Sequence, residues 1–483
     1  MISLFRPAFA VCGLVLVILA LLMLLPITLV VSDDAPDLTA FLTSSLVTAI
    51  SGFTLYYFNR GTLQHLTTRK VFMITAVNWI AVAAFAGIPF HLSNLHLSIT
   101  NAVFESVSGI TTTGSTVLTG LDVLPRDLLL WRSITQWLGG IGIIAMAVTV
   151  LPFLRVGGMR LFKTESSDWS DKATPQIRVQ LQYLVIVYVF LTGLCMLYYW
   201  LFGMTLFDAV NHAMTTISTG GYSTSDESIG HFQSAAILWG SIFFMSLGGI
   251  PFTIYVHFLI SRRFSFAGDA QVKAYVMMLC IAGIIMSLYL YSDGITPLSD
   301  ALLHGFLNTT SIITTTGYVS SDYGKWGSGA IAVFFFLTFV GGCSGSTSGG
   351  IKIFRFQLFW LYLREQFVRS IHPNAIVTLE YNNRRVTADV LSSSISYMYM
   401  AMWSYALLTI ILSLSGLDLI TSTTGALTAL MNVGPGLGDI IGPSGSFQSL
   451  PVITKWVLCF GMLLGRLEYL ALYILFTPLY WRD

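Results

Sequence analysis

Thr314-Thr315-Thr316-Gly317-Tyr318 lies between a short, half-apolar stretch, Leu298 to Ile313, and a polar linker that leads to a long apolar run from Gly329. The first stretch is too short to cross a bilayer, whereas the second is long enough. Short helix, Gly-containing turn and long helix together predict a re-entrant hairpin. A polar turn is tolerated at membrane depth only where it is buried in protein or lines a watery cavity. The stretch therefore predicts an ion-conducting pore.

The composition excludes an ordinary soluble protein. Of 483 residues, 55% are hydrophobic and 10% are charged, and the mean hydropathy is +0.75; soluble domains are about 25% charged. The net charge of +1 gives no reason to expect a nucleic-acid partner. The five cysteines are far apart in or beside apolar runs, which favours free buried thiols over disulfides or a metal site.

Ten segments meet the requirement of about 20 mostly apolar residues for a membrane span. They are residues 8–31, 40–58, 70–90, 129–153, 181–202, 234–260, 273–292, 328–360 (interrupted), 394–414 and 452–477. The first is predicted to be a retained helix rather than a signal peptide, because its apolar run is too long. Four shorter segments, 98–111, 205–218, 299–314 and 419–431, fall between spans 3 and 4, 5 and 6, 7 and 8, and 9 and 10. At 1.5 Å per residue each reaches about 20 Å, which predicts half-helices.

The basic residues are distributed unequally among the loops. With the N-terminus placed inside, 19 of the 24 lie in cytoplasmic loops, Arg466 lies in the last span, and four lie outside, namely Arg126, Arg132, Lys325 and Lys455. The positive-inside rule then puts both termini in the cytoplasm and all four half-helices on the outer side. Fourteen acids fall outside: Asp33, Asp34, Asp37, Glu105, Asp122, Asp127, Asp208, Asp226, Glu227, Asp293, Asp300, Asp322, Asp418 and Asp439. They predict a cation-attracting outer mouth, or they simply occupy the side that the rule leaves to them.

Four glycines mark an internal repeat. Gly114, Gly221, Gly317 and Gly434 are 107, 96 and 117 residues apart, and each long helix that follows has a glycine at a similar distance: Gly139, Gly248, Gly341 and Gly461. We predict a two-helix unit at residues 1–66 and pore repeats at 67–165, 166–266, 267–385 and 386–483. Asp208-Ala209-x-x-His212 resembles Asp300-Ala301-x-x-His304, but at unequal distances from the anchors. Either the third half-helix has one extra turn or this similarity is accidental.

The residues around the four glycines have the chemistry of a cation filter. A cation stripped of water needs replacement oxygens, which backbone carbonyls supply in rings, and glycine allows the necessary left-handed turns. The predicted cation ligands are Thr111, Thr112, Thr113, Gly114, Thr219, Gly220, Gly221, Thr315, Thr316, Gly317, Asn432, Val433 and Gly434. The predicted fold is an all-α polytopic membrane protein with two N-terminal transmembrane helices and four helix–pore-loop–helix repeats around one pseudo-fourfold pore.

These segments also resemble a known family. T-T-T-G-S (111–115), S-T-G-G-Y-S (218–223), T-T-T-G-Y (314–318) and N-V-G-P-G-L (432–437) are similar to the four filter segments of the Trk/Ktr/HKT superfamily of potassium transporters. The chain length, the two extra N-terminal spans and N-V-G-P-G-L favour its TrkH/TrkG branch. The resemblance implies a potassium-uptake subunit of the bacterial inner membrane, in a homodimer whose cytoplasmic face binds TrkA, a nucleotide-binding regulatory protein. It implies no cofactor in this chain beyond the K+ that it binds and transports.

Two features predict a gate. The first is a run of ten small residues that interrupts span 8 below the filter: Gly341, Gly342, Cys343, Ser344, Gly345, Ser346, Thr347, Ser348, Gly349 and Gly350. Such a run cannot hold a stable helix, since Gly costs about 1 kcal/mol relative to Ala at each position. In the family that it resembles, this position is the gating loop; the alternative is a static kink for close helix packing. Among the four long helices, only that of the third repeat is expected to be broken by a Gly/Ser loop.

The second feature is Arg466 in the last span, whose counterpart in the first repeat is expected to be Ile144. An arginine in the membrane usually marks a functional site. We expect Arg466 to face the pore, as an electrostatic barrier or a support for the loop, with Lys352 adding positive charge. An ion pair with Glu468 is unfavourable because residues two apart do not face each other on a helix, although a partner on another helix is possible.

Two other functions compete with a gated channel. A symporter of the same fold would couple K+ entry to H+ or Na+; proton coupling usually needs a buried acid, for which Glu105 and Glu468 are the candidates. Gly342-Cys343-Ser344-Gly345 also has the G-x-S-G form of intramembrane serine proteases, where the serine needs a histidine base. The only histidine after it is His372, in a predicted cytoplasmic loop, so we expect no enzymatic activity.

Overall fold

The protein is described by a computed structural model that covers residues 2–30, 37–61, 67–149, 173–262, 268–292, 294, 296–382 and 384–482. Seven helices in these ranges are long and apolar enough to cross a membrane, and the number is nine if each of two sharply bent helix pairs counts as one span. The further predicted span, in the third repeat, is interrupted as expected. The predicted all-α polytopic fold is confirmed.

The helices α1 to α10 comprise Ile2–Leu22, Ile27–Val30, Leu38–Asn59, Thr68–Ala86, Ile88–Leu92, Ile99–Ile110, Arg126–Thr149, Ala173–Leu201, Leu206–Ile217 and Ala235–Gly248. The helices α11 to α20 comprise Phe252–Ser261, Ala270–Ser292, Leu298–Ile313, Ser328–Thr338, Ile353–Ile371, Ala388–Leu414, Leu419–Met431, Val452–Arg466, Tyr469–Tyr473 and Pro478–Trp481. Short 3-10 turns cover Leu121–Val123, Ser228–His231, Tyr323–Lys325 and Ile474–Phe476. The strands β1 (Glu380–Tyr381) and β2 (Arg384–Arg385) form a small antiparallel hairpin between α15 and α16.

The first two long helices, α1 and α3, pack closely through small residues. A Cβ atom on Gly13 would lie 2.5 Å from the Gly52 carbonyl oxygen, so only glycine permits this approach. The Ser45 hydroxyl donates to the Ala20 carbonyl oxygen at 2.7 Å, which satisfies a polar group that lipid could not. Small residues and interhelical hydrogen bonds are the usual means of helix association in membranes.

The four predicted half-helices are present as α6, α9, α13 and α17, with 12, 12, 16 and 13 residues. Three have a side-chain N-cap: Ser98, Thr205 and Asp418 each accept from the backbone N–H three residues later. The third half-helix is four residues longer than the second, and both Asp208 and Asp300 are the third residue of their helices. The extra turn explains the unequal spacing of the Asp/His pattern.

The Gly/Ser loop is confined to the third repeat, as predicted, but the long helices of two other repeats are also sharply bent. In the second repeat α10 and α11 meet at 81°, and in the fourth α18 and α19 meet at 115°. The first bend follows Gly248-Gly249 and is stabilised by Pro251, whose ring cannot continue a helix. The second has Glu468 in a left-handed conformation, at φ +62°. Among the long helices of the repeats, only α7 continues past its glycine pair unbroken.

Several predicted surface features are corrected by burial. Asp37, Glu105 and Asp127 of the acids, and Arg132 and Lys455 of the bases, are at least 95% buried, so they add little to a charged outer mouth. Cys280 is exposed rather than buried, whereas the other four cysteines are buried free thiols. The predicted side of the membrane cannot be compared for eight charged residues that lie outside the described ranges: Asp33, Asp34, Asp293, Arg155, Arg160, Lys163, Lys172 and Arg263. The predicted domain boundaries at 66, 165 and 266 also lie outside them.

Candidate ion filter and gate

All four half-helices end in the same backbone turn. The N–H of the residue before each anchor glycine donates to the carbonyl five residues earlier: Thr113 to Ser108, Gly220 to Thr215, Thr316 to Ser311 and Val433 to Thr428, at 2.8 to 3.1 Å. The preceding residue is left-handed in each case, with φ of +52° at Thr112, +50° at Thr219, +57° at Thr315 and +55° at Asn432. This is the Schellman pattern, which usually has glycine in the left-handed position. Threonine there costs about 1–2 kcal/mol, so the surrounding structure imposes these turns.

The four anchor glycines are brought together in one ring. Each is left-handed, and a Cβ atom on each would meet a carbonyl oxygen of the next repeat: Gly114 meets Gly220, Gly221 meets Thr316, Gly317 meets Val433, and Gly434 meets Thr113, at 2.3, 1.9, 2.1 and 2.8 Å. The order runs through repeats 1, 2, 3 and 4 and returns to 1. The carbonyls of Thr113, Gly220, Thr316 and Val433 therefore alternate with glycines around a single closed ring.

The ring has the chemistry of a cation site. The half-helices end immediately before it, so the negative ends of their dipoles lie next to it. The oxygen atoms that could replace a hydration shell are backbone carbonyls and threonine hydroxyls. Thr111 and Thr113 hydroxyls are 2.7 Å apart, and those of Thr314 and Thr316 are also 2.7 Å apart. Within the described ranges, no group of three His, Cys, Asp or Glu residues could hold a metal ion.

A buried polar residue supports the strand after each anchor glycine, and the sequence analysis missed this pattern. It lies nine residues before the glycine in repeats 1 to 3. Glu105 accepts from the Val117 N–H at 3.0 Å, the His212 ring bonds the Ser223 hydroxyl at 3.0 Å, and Asn308 accepts from the Ser320 N–H at 3.1 Å. The counterpart of His212 is thus Asn308, although the His304 ring also bonds Ser320, at 2.8 Å. In repeat 4 Thr424, ten residues before the glycine, accepts from the Leu437 N–H at 3.2 Å.

The glycines of the long helices let the half-helix ends approach. A Cβ atom on Gly139, Gly248 or Gly465 would lie 2.1, 3.1 or 1.9 Å from the carbonyl oxygen four residues before the anchor glycine of its repeat. The expected match at Gly461 is therefore wrong, because the glycine that makes this contact in repeat 4 is Gly465, four residues later. Arg466 then corresponds to Gly140 and not to Ile144. Arg466 occupies the place of the second glycine of Gly139-Gly140 and Gly248-Gly249.

The small-residue run 341–350 packs directly against the filter segments. The Gly349 N–H donates to the Thr315 hydroxyl at 2.6 Å, and the Gly350 N–H donates to the Met431 carbonyl at 2.8 Å. The hydroxyl oxygens of Thr347 and Thr219 are 3.1 Å apart. The loop thus contacts the left-handed residues of two repeats and the end of the half-helix of a third. Its polar side chains are buried, with Thr347 at 0% and Ser348 at 1% exposed.

Arg466 contacts this loop, as the predicted role of a support for it requires. Its guanidinium donates to the Thr347 carbonyl at 2.8 Å, and the side chain is 3% exposed. Lys352 donates to the Ser348 carbonyl within the same loop. Glu468 pairs with Arg355 on α15, at 2.6 Å, instead of with Arg466. Repeats 3 and 4 are therefore joined by two reciprocal contacts, each made by an arginine.

The protease hypothesis paired Ser344 with His372, and the structure places these two residues far apart. Helix α15, with 19 residues, separates the Ser344 loop from His372. At 1.5 Å per residue this is about 28 Å, too far for a serine and its base. The Ser344 N–H donates to the Gln271 side-chain oxygen, which fits a structural role.

Together, the spans and the closed ring of four re-entrant turns define a polytopic membrane protein built around one fourfold pore. A model of the TrkH family, described as "Cation transport protein", matches residues 38–482. The chain is 43% identical over 479 residues to the Trk system potassium uptake protein TrkI of Halomonas elongata, covering 99% of this chain and 97% of the relative. It is 33% identical over 490 residues to the Trk system potassium uptake protein TrkH of Escherichia coli K12, covering 99% and 100%.

A solved structure shows the same architecture. The crystal structure of the potassium transporter TrkH from Vibrio parahaemolyticus matches with a TM-score of 0.91 and 32% sequence identity, over 99% of this chain and 100% of that chain. The chain belongs to the TrkH family of cation transport proteins. The family resemblance found in the filter segments is thereby confirmed.

Proposed function

We propose that this protein takes up potassium across the bacterial inner membrane as a gated, K+-selective, channel-like translocating subunit. The observation that carries the proposal is the closed ring in which each anchor glycine lies against a carbonyl of the next repeat. Rings of carbonyls replace the hydration shell of K+ in channel filters. The full-length relatives named as potassium uptake proteins support the choice of ion.

The two candidate acids favour a channel over a proton-coupled symporter. Glu105 is 0% exposed and pairs with Arg132 at 2.8 Å, while Glu468 pairs with the buried Arg355 at 2.6 Å. A proton carrier in the path must gain and lose its proton during transport. Each of these two carboxylates is instead engaged by an arginine and joins neighbouring segments of the fold.

The gate in this proposal is the loop at 341–350, held by Arg466 and positioned by Lys352. A chain of small residues directly against the filter occupies the space through which an ion would leave it. Opening then requires the loop to leave Thr315, Thr219 and the Met431 carbonyl, contacts that it makes in the present conformation.

We infer that a cytoplasmic TrkA-like nucleotide-binding protein controls this movement, and that two copies of the chain form a homodimer with both termini in the cytoplasm. Helix α15 begins only three residues after the loop. Its apolar residues Trp360, Phe367 and Ile371 are 64%, 58% and 72% exposed, which supports a role in contacts with another chain or with lipid. Force applied to α15 would reach the loop directly through the chain.

Purified protein in planar bilayers and in liposomes tests the proposal. Ohmic single-channel currents, with K+ flux that persists against competing Na+ and does not depend on a proton gradient, would support it. Slow flux that requires a proton or sodium gradient would instead identify a symporter. Addition of the partner protein with nucleotide should change the open probability.

A further inference from the structure

One face of α7, the long helix of repeat 1, contacts the filter segment of repeat 2. The Gln136 side-chain amide donates to the Gly220 carbonyl at 2.6 Å and accepts from the Tyr222 N–H at 2.9 Å. Gln136 is 0% exposed, so these bonds are made away from bulk water. Gly220 supplies one of the four ring carbonyls. Gln136 therefore fixes the backbone on both sides of Gly221.

Arg132 continues this contact one helical turn away. Its guanidinium donates to the Ser223 carbonyl at 3.0 Å and lies 4.1 Å from the centre of the Tyr222 ring. The same guanidinium pairs with Glu105 at 2.8 Å, which supplies the opposite charge that a buried arginine requires. The Tyr222 hydroxyl donates to the backbone carbonyl of Glu105 at 2.8 Å, which completes a network behind repeats 1 and 2.

The other repeats lack this arrangement. The four long helices are aligned on Gly139, Gly248, Gly341 and Gly465. Where repeat 1 has Arg132, the other repeats then have Ser241, Phe334 and Leu458. Where repeat 1 has Gln136, they have Met245, Thr338 and Met462. In the described part of the chain, the ring carbonyls of Thr113, Thr316 and Val433 accept no side-chain hydrogen bond, whereas that of Gly220 does. The filter is thus chemically asymmetric at repeat 2.

We propose that Gln136 and Arg132 are positioning residues that set the K+ over Na+ preference by fixing the Gly220 carbonyl and the strand that follows it; this inference rests on the proposed function. A carbonyl oxygen has two lone pairs, and the Gln136 amide uses one of them. The bond fixes the direction of the carbonyl and weakens its field at the ion. A ring that cannot contract at repeat 2 disfavours the smaller cation, since selectivity depends on cavity size and on the number and field strength of the carbonyls.

The test substitutes Gln136→Met, which keeps the side-chain length and removes both hydrogen bonds, and measures bi-ionic K+/Na+ reversal potentials in reconstituted bilayers. We expect the permeability ratio to fall about 2- to 10-fold, the range for losing one net hydrogen bond, while K+ current persists. Ser133→Ala is the matched control, because Ser133 is buried in the same helix and its hydroxyl bonds only the Leu129 carbonyl of that helix. The control should keep the wild-type ratio.

A second variant and a second measurement protect the test against misfolding. Arg132→Lys keeps the charge beside Glu105 but cannot reproduce the planar contacts to Ser223 and Tyr222, and it should lower the ratio in the same direction. If Gln136→Met does not fold, the permeability ratio of Arg132→Lys is used to test the proposal instead. In purified protein, K+ should raise the melting temperature more than Na+ does, because a ligand of the folded state stabilises it, and this difference should shrink in both variants.

The outcomes separate the two proposals. A wild-type protein without K+ selectivity would overturn the proposed function and this inference with it. A selective wild-type protein together with a folded Gln136→Met variant whose ratio stays within twofold of wild type would overturn only the inference. The same ratio loss in Ser133→Ala would also overturn it, since the effect would then belong to any change in α7.

Discussion

Replacing each ring glycine by serine should lower the K+/Na+ permeability ratio, and the structure predicts the order of the four losses. At Gly317, for example, the serine Cβ would lie 2.1 Å from the Val433 carbonyl oxygen, with the backbone at φ +81°. Real Cβ atoms essentially never lie within 3.0 Å of such a neighbour. The carbonyl cannot bend away as the end of a flexible side chain could, so the ring itself must open.

The required displacement follows from the distances in the ring. Reaching 3.0 Å needs about 1.1 Å at Gly221, 0.9 Å at Gly317, 0.7 Å at Gly114 and 0.2 Å at Gly434. Binding groups must be held within about 0.5 Å of their working geometry. The first three substitutions exceed this tolerance and the fourth does not. Each also adds about 1–2 kcal/mol for a side chain in the left-handed conformation.

The assay is the K+/Na+ permeability ratio of the four variants in reconstituted bilayers. We expect the largest loss of the ratio in Gly221→Ser, a smaller loss in Gly317→Ser and a still smaller one in Gly114→Ser. Gly434→Ser should be closest to wild type. Gly416→Ser is the control for backbone strain alone, because Gly416 has φ +95° and no atom within 4 Å of its added Cβ. It should leave the ratio unchanged while lowering the melting temperature slightly.

Two results would refute this reasoning. If Gly221→Ser kept the wild-type ratio, the ring carbonyls would not select the ion. If Gly434→Ser were as damaging as Gly221→Ser, the loss would come from conformational strain, which the four positions share, and not from carbonyl displacement, in which they differ.

Three further predictions concern the gate and the stability of the fold. Arg466→Ala should raise K+ flux without the partner protein, because the Thr347 carbonyl loses a charged hydrogen bond worth about 1.5–3 kcal/mol, roughly 10- to 150-fold in the open-to-closed ratio. Glu468→Gln should lower the melting temperature, since leaving the buried Arg355 without its charge partner costs about 3–5 kcal/mol. Asp418→Ala should destabilise α17 by about 0.5–2 kcal/mol through loss of its N-cap. The pKa of the Asp418 carboxyl is lowered by hydrogen bonds from the Thr421 hydroxyl and N–H, so the wild-type cap stabilises above the ordinary carboxyl pKa and fails as pH falls through the lowered one.

Each of these has a control and a contrary outcome. Unchanged or lower flux in Arg466→Ala would contradict a role in holding the closed loop; Arg466→Lys should be intermediate, because it can still reach a carbonyl but with a single point charge. A Glu468→Gln protein as stable as wild type would show that Arg355 needs no partner there. Asp418→Asn should retain most of the cap, and a loss equal to that of alanine would contradict the capping argument.

The half-helices and the turns that end them were predictable because their signals are local. A helix of 12 to 16 residues that ends at a Thr/Asn-x-Gly turn needs only chain length and the conformational freedom of glycine to be found. The family resemblance depends on those same segments. The burial of charged residues could not be predicted from such local signals. Glu105, Arg132 and Lys455 are buried by contacts between segments that are distant in sequence.

The repeat register in the fourth repeat was the main error, and its cause is physical. Gly461 matches the spacing of the other repeats, but Gly465 is the residue that meets the half-helix end, at 1.9 Å from the Leu430 carbonyl. Equal spacing assumes equal connections, whereas the segment between Leu437 and Leu450 is folded differently in this repeat. The nine-residue support pattern was missed because Glu105, His212 and Asn308 share a position and a role but no chemistry.

In the mechanism that we propose, filter and gate are coupled, because the loop bonds the left-handed threonines that shape the ring. Releasing the loop frees the Thr315 hydroxyl and the Met431 carbonyl and breaks the Arg466–Thr347 bond. When water takes the place of a lost partner, breaking a neutral hydrogen bond changes the free energy by only about 0.5–1.5 kcal/mol. The closed state is then favoured by a few kcal/mol, an amount that a partner can supply through a modest difference in affinity for the two states. In this proposal, the arginine at the place where the other repeats have glycine stabilises the closed loop firmly enough to limit leak and weakly enough for a partner to open it.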